Sequence, residues 1–373
     1  IGVNDAYLKD AWYSTDGTTW TKATGLSGAA WGGRAKHTAL GSADVLWVIG
    51  GEDSGATSLR DVWHSTDGNA WTLANTDTQW DARQDHASAV SSGALGAYIW
   101  VMGGRDGGEK RLRDVWYTVN GAAWTQATAS ADWSARAGLA AAATADGKLW
   151  VFGGATDVLP ATALNDVWCS TNGAVWLRQT VAADWPARVH HAATVFQGKL
   201  WVAGGMDSNG LPLNDVWSSD SGVTWTNAGT AQWPARSRHA MVVFQDKLWV
   251  IGGMDANWDP LNDVWYSGNG ATWTKASGAG APWAARAGTG VTVFDNKLWV
   301  IGGGRYNIAG TWTTYADAWF SADGLTWSQT LTGATVPAGR YGHTATTYDG
   351  KLWLLGGLVP GAPIDVWNAT IEP

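Results

Sequence analysis

One motif recurs seven times along the chain, and no other feature constrains the fold as tightly. Residues 185–225 read WPARVHHAATVFQGKLWVAGGMDSNGLPLNDVWSSDSGVTW, and residues 233–273 read WPARSRHAMVVFQDKLWVIGGMDANWDPLNDVWYSGNGATW. Its Gly-Gly pairs fall at 50–51, 103–104, 153–154, 204–205, 252–253, 302–303 and 356–357, and its closing tryptophans at 20, 71, 124, 176, 225, 273 and 327. The period is therefore 48 to 54 residues. A unit of that length holds four short strands, and units of this kind bury a core only by stacking on one another. Strand a follows the W-x-A-R segment, strand b is K-L-W-V-x ended by the glycine pair, strand c is N-D-V-W, and strand d starts at the closing Trp. Asp-Gly and Asn-Gly between c and d predict a tight hairpin with a primed turn. Helix signals are almost absent.

The order R-x-x-H-A, K-L-W-V-x-G-G, N-D-V-W, G-x-x-W resembles the kelch repeat, with Trp where that family often has Tyr in strand c. The segment SSDSGVTW (218–225) resembles the Asp-box turn of sialidase propellers, which the other repeats match in part. Both resemblances imply a β-propeller, and the kelch likeness covers essentially the whole chain, 1–373, as one domain. The expected fold is all-β, a seven-bladed propeller of four-stranded antiparallel blades. Eight c-type segments, at Trp12, Trp63, Trp116, Trp168, Trp217, Trp265, Trp319 and Trp367, exceed the seven a, b and d strands. The N-terminal DAWYSTDGTTW (10–20) is a complete c–d hairpin, so pairing of the N- and C-terminal segments is expected to close the ring. The c segment at Trp367 is then surplus.

Of 30 tryptophans, 28 fall on four repeat positions, whereas Phe (5) and Met (4) are scarce. These rings are expected to form the core in place of Leu and Phe, since a buried Trp covers about 150–250 Å². Such a content excludes a disordered chain. No apolar run approaches 18 residues, so no membrane-spanning helix is expected. A net charge of −8 and a pI near 5.3 argue against nucleic acid as partner. The lone Cys169 excludes an intramolecular disulfide framework and a multi-cysteine metal site. Little Lys, abundant Gly, Ala, Thr and Ser, and a start at Ile1 lead us to expect a processed bacterial protein that is secreted, surface-borne or periplasmic.

Positions held in every repeat are explained by blade geometry, and departures from it need another reason. Arg34, Arg83, Arg136, Arg188, Arg236, Arg286 and Arg340 recur before strand a, and Asp10, Asp61, Asp114, Asp166, Asp215, Asp263, Asp317 and Asp365 recur before strand c. Arg–Asp bridges within or between blades follow from this placement. Histidine stands three residues after Arg in five repeats (His37, His86, His191, His239, His343), where the kelch resemblance implies a blade-internal hydrogen-bonding role. Sevenfold spacing sets these imidazoles too far apart for one ion, so no metal and no cofactor is expected.

The two residues between Arg and that position diverge, and they rim the central opening. Lys36, Asp85, His190, Arg238 and Tyr341 are therefore candidates for contact with a ligand. Trp258 and Trp312 are the two tryptophans outside the frame, both in b–c loops, and Arg305, Tyr306 and Tyr315 accompany the second. Planar aromatics on loops stack on sugar rings and also serve as protein hot spots. The b–c loops vary most, which marks the b–c/d–a face as the working one. The expectation is a binding module for a glycan or a protein surface. One alternative is a carbohydrate-active hydrolase or epimerase with an axial site, for which Glu52 and Asp53 are the one acidic pair near the rim. Another is a structural domain of a surface assembly, the surplus strand joining a neighbour. A galactose-oxidase-like copper site fails because Cys169 belongs near the opposite face.

Overall fold

The computed structural model describes residues 6–24, 31–42, 44–74, 80–93, 96–119, 123–156, 162–276, 281–306, 312–330 and 337–359. Seven four-stranded antiparallel sheets form the blades, and no helix occurs among the described residues. Blades 1 to 6 span 38–73, 87–128, 140–180, 192–230, 240–275 and 290–329, each in the order a-b-c-d. Blade 7 takes a (Thr344–Tyr348) and b (Lys351–Leu355) from the C-terminal part and c (Ala11–Ser14) and d (Thr21–Lys22) from the N-terminal part. Ala11 pairs with Leu355 and Ser14 with Leu352, which closes the ring as expected. A two-stranded ribbon beside this joint pairs Ala6–Tyr7 with Leu358–Val359. The surplus c segment, with Asp365 and Trp367, lies outside the described residues.

Strand b is buried on both faces, as its continuous K-L-W-V-I pattern requires of a strand covered by blades on either side. The apolar clusters accordingly lie between blades. One unites Trp150, Phe152 and Val167 of blade 3 with Leu200, Val202 and Trp217 of blade 4. Another joins Trp31, Leu46 and Trp63 of blade 1 to Trp353 and Leu355 of blade 7. Every strand-b tryptophan is buried, and so is every one in the W-x-A-R segments.

One correction concerns the turns. The c–d connection is not a primed two-residue turn: in it only the glycine has positive φ, at 74° for Gly17. A serine hydroxyl and an Asp or Asn carbonyl oxygen organise it instead. The Ser14 Oγ accepts from Gly17 N (2.7 Å), and Asp16 Oδ1 accepts from Thr18 N and Thr19 N (both 2.7 Å). In the Asp-box-like segment Asp220 pairs with Lys199, and Ser219 and Ser221 cap the turn. The primed geometry belongs to the a–b hairpins of blades 4 to 7, where pairs such as Asp295-Asn296 both lie near φ 50°.

The c–d glycine also locks adjacent blades together. A Cβ on Gly68 would stand 1.6 Å from the Trp353 ring, and one on Gly324 would stand 1.9 Å from Trp249. In six blades the strand-b indole thus slides beneath the turn of the next blade, into space that only glycine leaves.

Candidate functional site

Each arginine before strand a is buried and makes a two-pronged bond to the aspartate before strand c of its own blade. Arg236 donates to Asp263 Oδ1 (2.6 Å) and Oδ2 (2.7 Å) and to the Gly252 carbonyl (2.7 Å), while Trp265 Nε1 donates to the same carboxylate (2.7 Å). The pattern repeats in all seven blades. In blade 7 it links Arg340 to Asp10 across nearly the full chain. Burial works to raise the pKa of Asp263, but the Arg236 bonds and charge outweigh it and hold the carboxyl below its ordinary value. These pairs are saturated, and their service is to the frame.

The recurrent histidines are a correction to the family-based expectation, because they reach between blades. His86 Nε2 bonds Thr38 Oγ1 (3.0 Å), and His343 Nε2 accepts from Gly290 N (3.1 Å). Their rings also lie against the first glycine of the preceding blade's Gly-Gly pair: a Cβ on Gly356 would stand 2.9 Å from His37, and one on Gly204 would stand 2.7 Å from His239. Burial, and then the adjacent arginines, push His86, His239 and His343 down to about 3 and His37 and His191 well below the ordinary value. All five are neutral at pH 7.

Two residues beyond each arginine the chain turns into the left-handed region in every blade. The φ values are 54° at Lys36, 52° at Asp85, 61° at Gly138, 54° at His190, 56° at Arg238, 62° at Gly288 and 65° at Gly342. At five of the seven positions the amide of this residue donates to the same residue of the preceding blade. Lys36 N donates to Gly342 O (3.3 Å), Gly138 N to Asp85 O (3.1 Å), His190 N to Gly138 O (3.1 Å), Arg238 N to His190 O (3.0 Å) and Gly342 N to Gly288 O (3.2 Å). Glycine meets this demand without strain. A side chain there costs on the order of 1–2 kcal/mol, yet four blades carry one.

Those four side chains converge with neighbours from the following loops into one charged cluster. Lys36 Nζ pairs with Glu52 Oε1 (2.9 Å), which also accepts from Tyr7 (3.2 Å). Arg105 Nε donates to Asp85 Oδ2 (2.7 Å), and its other nitrogens reach Gln84 and Glu109. Arg238 donates to His190 Nε2 (3.0 Å), which makes Nε2 the unprotonated ring nitrogen. The His190 imidazole lies against Gly138, where a Cβ would stand 3.0 Å from it. Burial and the Arg238 charge push His190 down to about 3. Burial alone would raise Asp85, but the Arg105 and Lys36 charges hold it well below the carboxylate range. Arg238 is pushed down to about 10 by burial, with Asp85 opposing. With Arg111 and Glu109 the mouth holds four cations against three carboxylates, on a chain whose net charge is −8.

The loop candidates form a second group on the same face. Trp258 sits at φ 62° in a turn capped by Asp255, whose Oδ1 accepts from Asn257 N and Asp259 N (2.8 and 3.0 Å). Ala56, Glu109 and Gly210 hold the same place in blades 1, 2 and 4. The Trp258 ring leans on Ala155, Val189 and Met206. Arg305 approaches the adjoining Asp259 (3.9 Å), so it and Trp258 belong to one patch. Tyr306 is 45% exposed, and its backbone pairs with that of Trp312, whose side chain lies outside the described part. Tyr315 turns inward and covers the Arg286 guanidinium at 4.0 Å.

Sequence reasoning missed Arg105, Arg111, Glu109 and Tyr7. The signal was present: the residue after each Gly-Gly pair reads Glu52, Arg105, Ala155, Met206, Met254, Gly304 and Leu358, as varied as the rim itself. Its backbone bridges to the rim, as in Glu52 with Ala35 and Arg105 with Gln84. Glu52 and Asp53 serve separate partners, since Asp53 Oδ1 accepts from Gly55 N (2.9 Å) and Thr57 N (3.0 Å) of its own loop. Among the described residues no group of three or more His, Cys, Asp or Glu side chains is placed to hold a metal ion.

A family model described as the KLHDC2/KLHL20/DRC7 Kelch-repeats domain matches residues 2–178 and 162–357 of the chain. No curated protein matches it.

Proposed function

The chain belongs to the kelch-repeat family, whose propellers are in general protein-binding modules, and from that premise we propose that it takes a partner protein on the b–c/d–a face. The contact centres on the axial mouth. One observation carries this reading: Lys36, Asp85, His190 and Arg238 occupy left-handed positions that Gly138, Gly288 and Gly342 fill without strain. Backbone strain retained in four blades, and absent from three with the same left-handed backbone, implies a gain outside the fold. The mouth's mixed charges suit a polar, charge-bearing segment. Trp258, Arg305 and Tyr306 extend the surface outward as anchors.

Panning a random peptide library tests this. Selected peptides are expected to bind the chain and to lose at least tenfold on a quadruple variant with glycine at 36, 85, 190 and 238 that melts no lower than the parent. Full binding by that variant overturns the axial assignment.

The exposed Tyr306 and the left-handed Trp258 favour a glycan as the second reading, with a secreted or surface setting to match. A glycan array would then give hits that vanish in Trp258→Ala with Tyr306→Ala. An array blank at high protein concentration removes that reading and leaves the first.

A further inference from the structure

On the opposite face, two blades lack a ring that the five others possess. In each blade the residue after the strand-c tryptophan pairs directly with the strand-b tryptophan. Tyr13 lies on Trp353 at 5.0 Å between centroids, His64 on Trp47 at 5.0 Å, Tyr117 on Trp100 at 4.9 Å, Tyr266 on Trp249 at 5.0 Å and Phe320 on Trp299 at 5.0 Å. Blade 3 places Cys169 opposite Trp150, and blade 4 places Ser218 opposite Trp201. In blade 3 the missing ring leaves room: a cavity of about 620 Å³ opens there, lined by Trp150, Cys169, Leu177, Val195, Leu200 and Lys148 among others. Its rim is apolar on one side, with Val175 60% and Leu177 64% exposed.

The repeat itself indicates what fits. In blades 5, 6 and 7 the aromatic ring contacts both the strand-b tryptophan and a lysine ammonium. Lys247 stands 5.7 Å from Tyr266, Lys297 stands 5.9 Å from Phe320 and Lys351 stands 6.0 Å from Tyr13. Lys148 occupies the matching position in blade 3. Asp146 holds it (2.7 Å), as Asp295 holds Lys297 and Asp349 holds Lys351. Tryptophan, lysine and its carboxylate anchor are all present in blade 3, and only the ring between them is absent.

We propose that this cavity receives a Phe or Tyr side chain of a partner protein, laid between Trp150 and Lys148. The ring supplies the aromatic and cation–π contacts that the chain makes for itself in blades 5, 6 and 7. The exposed Val175 and Leu177 cover the flanking residues of the inserted segment. This site lies across the propeller from the axial mouth and stands or falls independently of it.

The test uses the whole chain, N-acetyl-phenylalaninamide as probe and N-acetyl-leucinamide as control. The indole N–H resonance of Trp150, assigned from its loss in Trp150→Phe, reports occupancy. The phenylalanine probe is expected to move that resonance saturably, and the leucine control at least fivefold less at equal concentration. Cys169→Tyr restores the missing ring, so it should abolish the response while the melting temperature holds or rises. Leu177→Asp, on an exposed side chain, should weaken the probe several-fold in a chain that melts normally. Equal response to both amides overturns the proposal, as does an undiminished response in folded Cys169→Tyr. Should Cys169→Tyr fail to fold, Leu177→Asp decides, and unchanged affinity there overturns it.

Discussion

A single residue separates the most uniform ring of side chains in this propeller from one of the least uniform. The arginines before strand a are identical in seven blades, buried and fully bonded within the frame. The positions two residues later hold Lys, Asp, Gly, His, Arg, Gly and Gly, all in the same left-handed backbone. Both rings are repeated by the same geometry, yet only the first has its chemistry dictated by it. The arginine must satisfy a buried carboxylate and a carbonyl, and no other side chain offers that fork. The later position must satisfy only a φ angle, so what stands there records something other than folding.

The comparison predicts mutational effects of opposite sign at neighbouring positions. Arg236→Met strands the buried Asp263 and is expected to cost about 3–5 kcal/mol by urea unfolding. A loss below about 1 kcal/mol would mean that the Arg–Asp ring is incidental. Trp217→Ala, in the inter-blade core, should cost about 3–5 kcal/mol as well, from lost burial plus the cavity left behind. Survival of the wild-type melting temperature would place that ring at the surface.

The histidine contribution has a definite sign. His37, His86, His191, His239 and His343 have folded pKa values depressed below the unfolded 6.5, so the unfolded chain binds more protons below that pH. Their contribution is complete above about pH 7 and is lost as pH falls toward 3, by about 1 kcal/mol per histidine at pH 5.5. Unfolding free energies from pH 7.5 to 5 measure this. A flat profile would show that the imidazoles are charged when folded.

Arg238→Gly should stabilise the chain, or leave it level, by relief of about 1 kcal/mol of left-handed strain, while it weakens the partner. Clear destabilisation would make Arg238 part of the frame and erase the contrast with Arg236. The smallest effect is expected at Tyr306→Ala, within about 0.5 kcal/mol in stability. A larger loss would show that this exposed ring supports its loop.

The repeat made much of the fold legible before any coordinates, because each blade states its strands, its paired charges and its tryptophans in register. Subtracting the frame also exposed Lys36, Asp85, His190, Arg238 and Trp258 as departures. It did not reveal Arg105, since its partner Asp85 lies 20 residues away and only the bridge from Gln84 to Arg105 brings them together. The histidine role was misread for a similar reason: a sequence repeat shows what recurs within a blade and is silent about which blade each side chain faces.

By itself the sequence determined the number of blades, their strand order, the closure through residues 10–20 and the identity of the core tryptophans. These follow from local patterning repeated often enough to leave one solution. Only the tertiary structure decided the left-handed axial ring, the interlock of c–d glycines beneath neighbouring indoles, and the cavity beside Trp150. Each of these is a relation between adjacent blades, set by how the ring closes. In the chain a missing aromatic is one ordinary cysteine among 373 residues; in the folded ring it is an unfilled place between a tryptophan and a lysine.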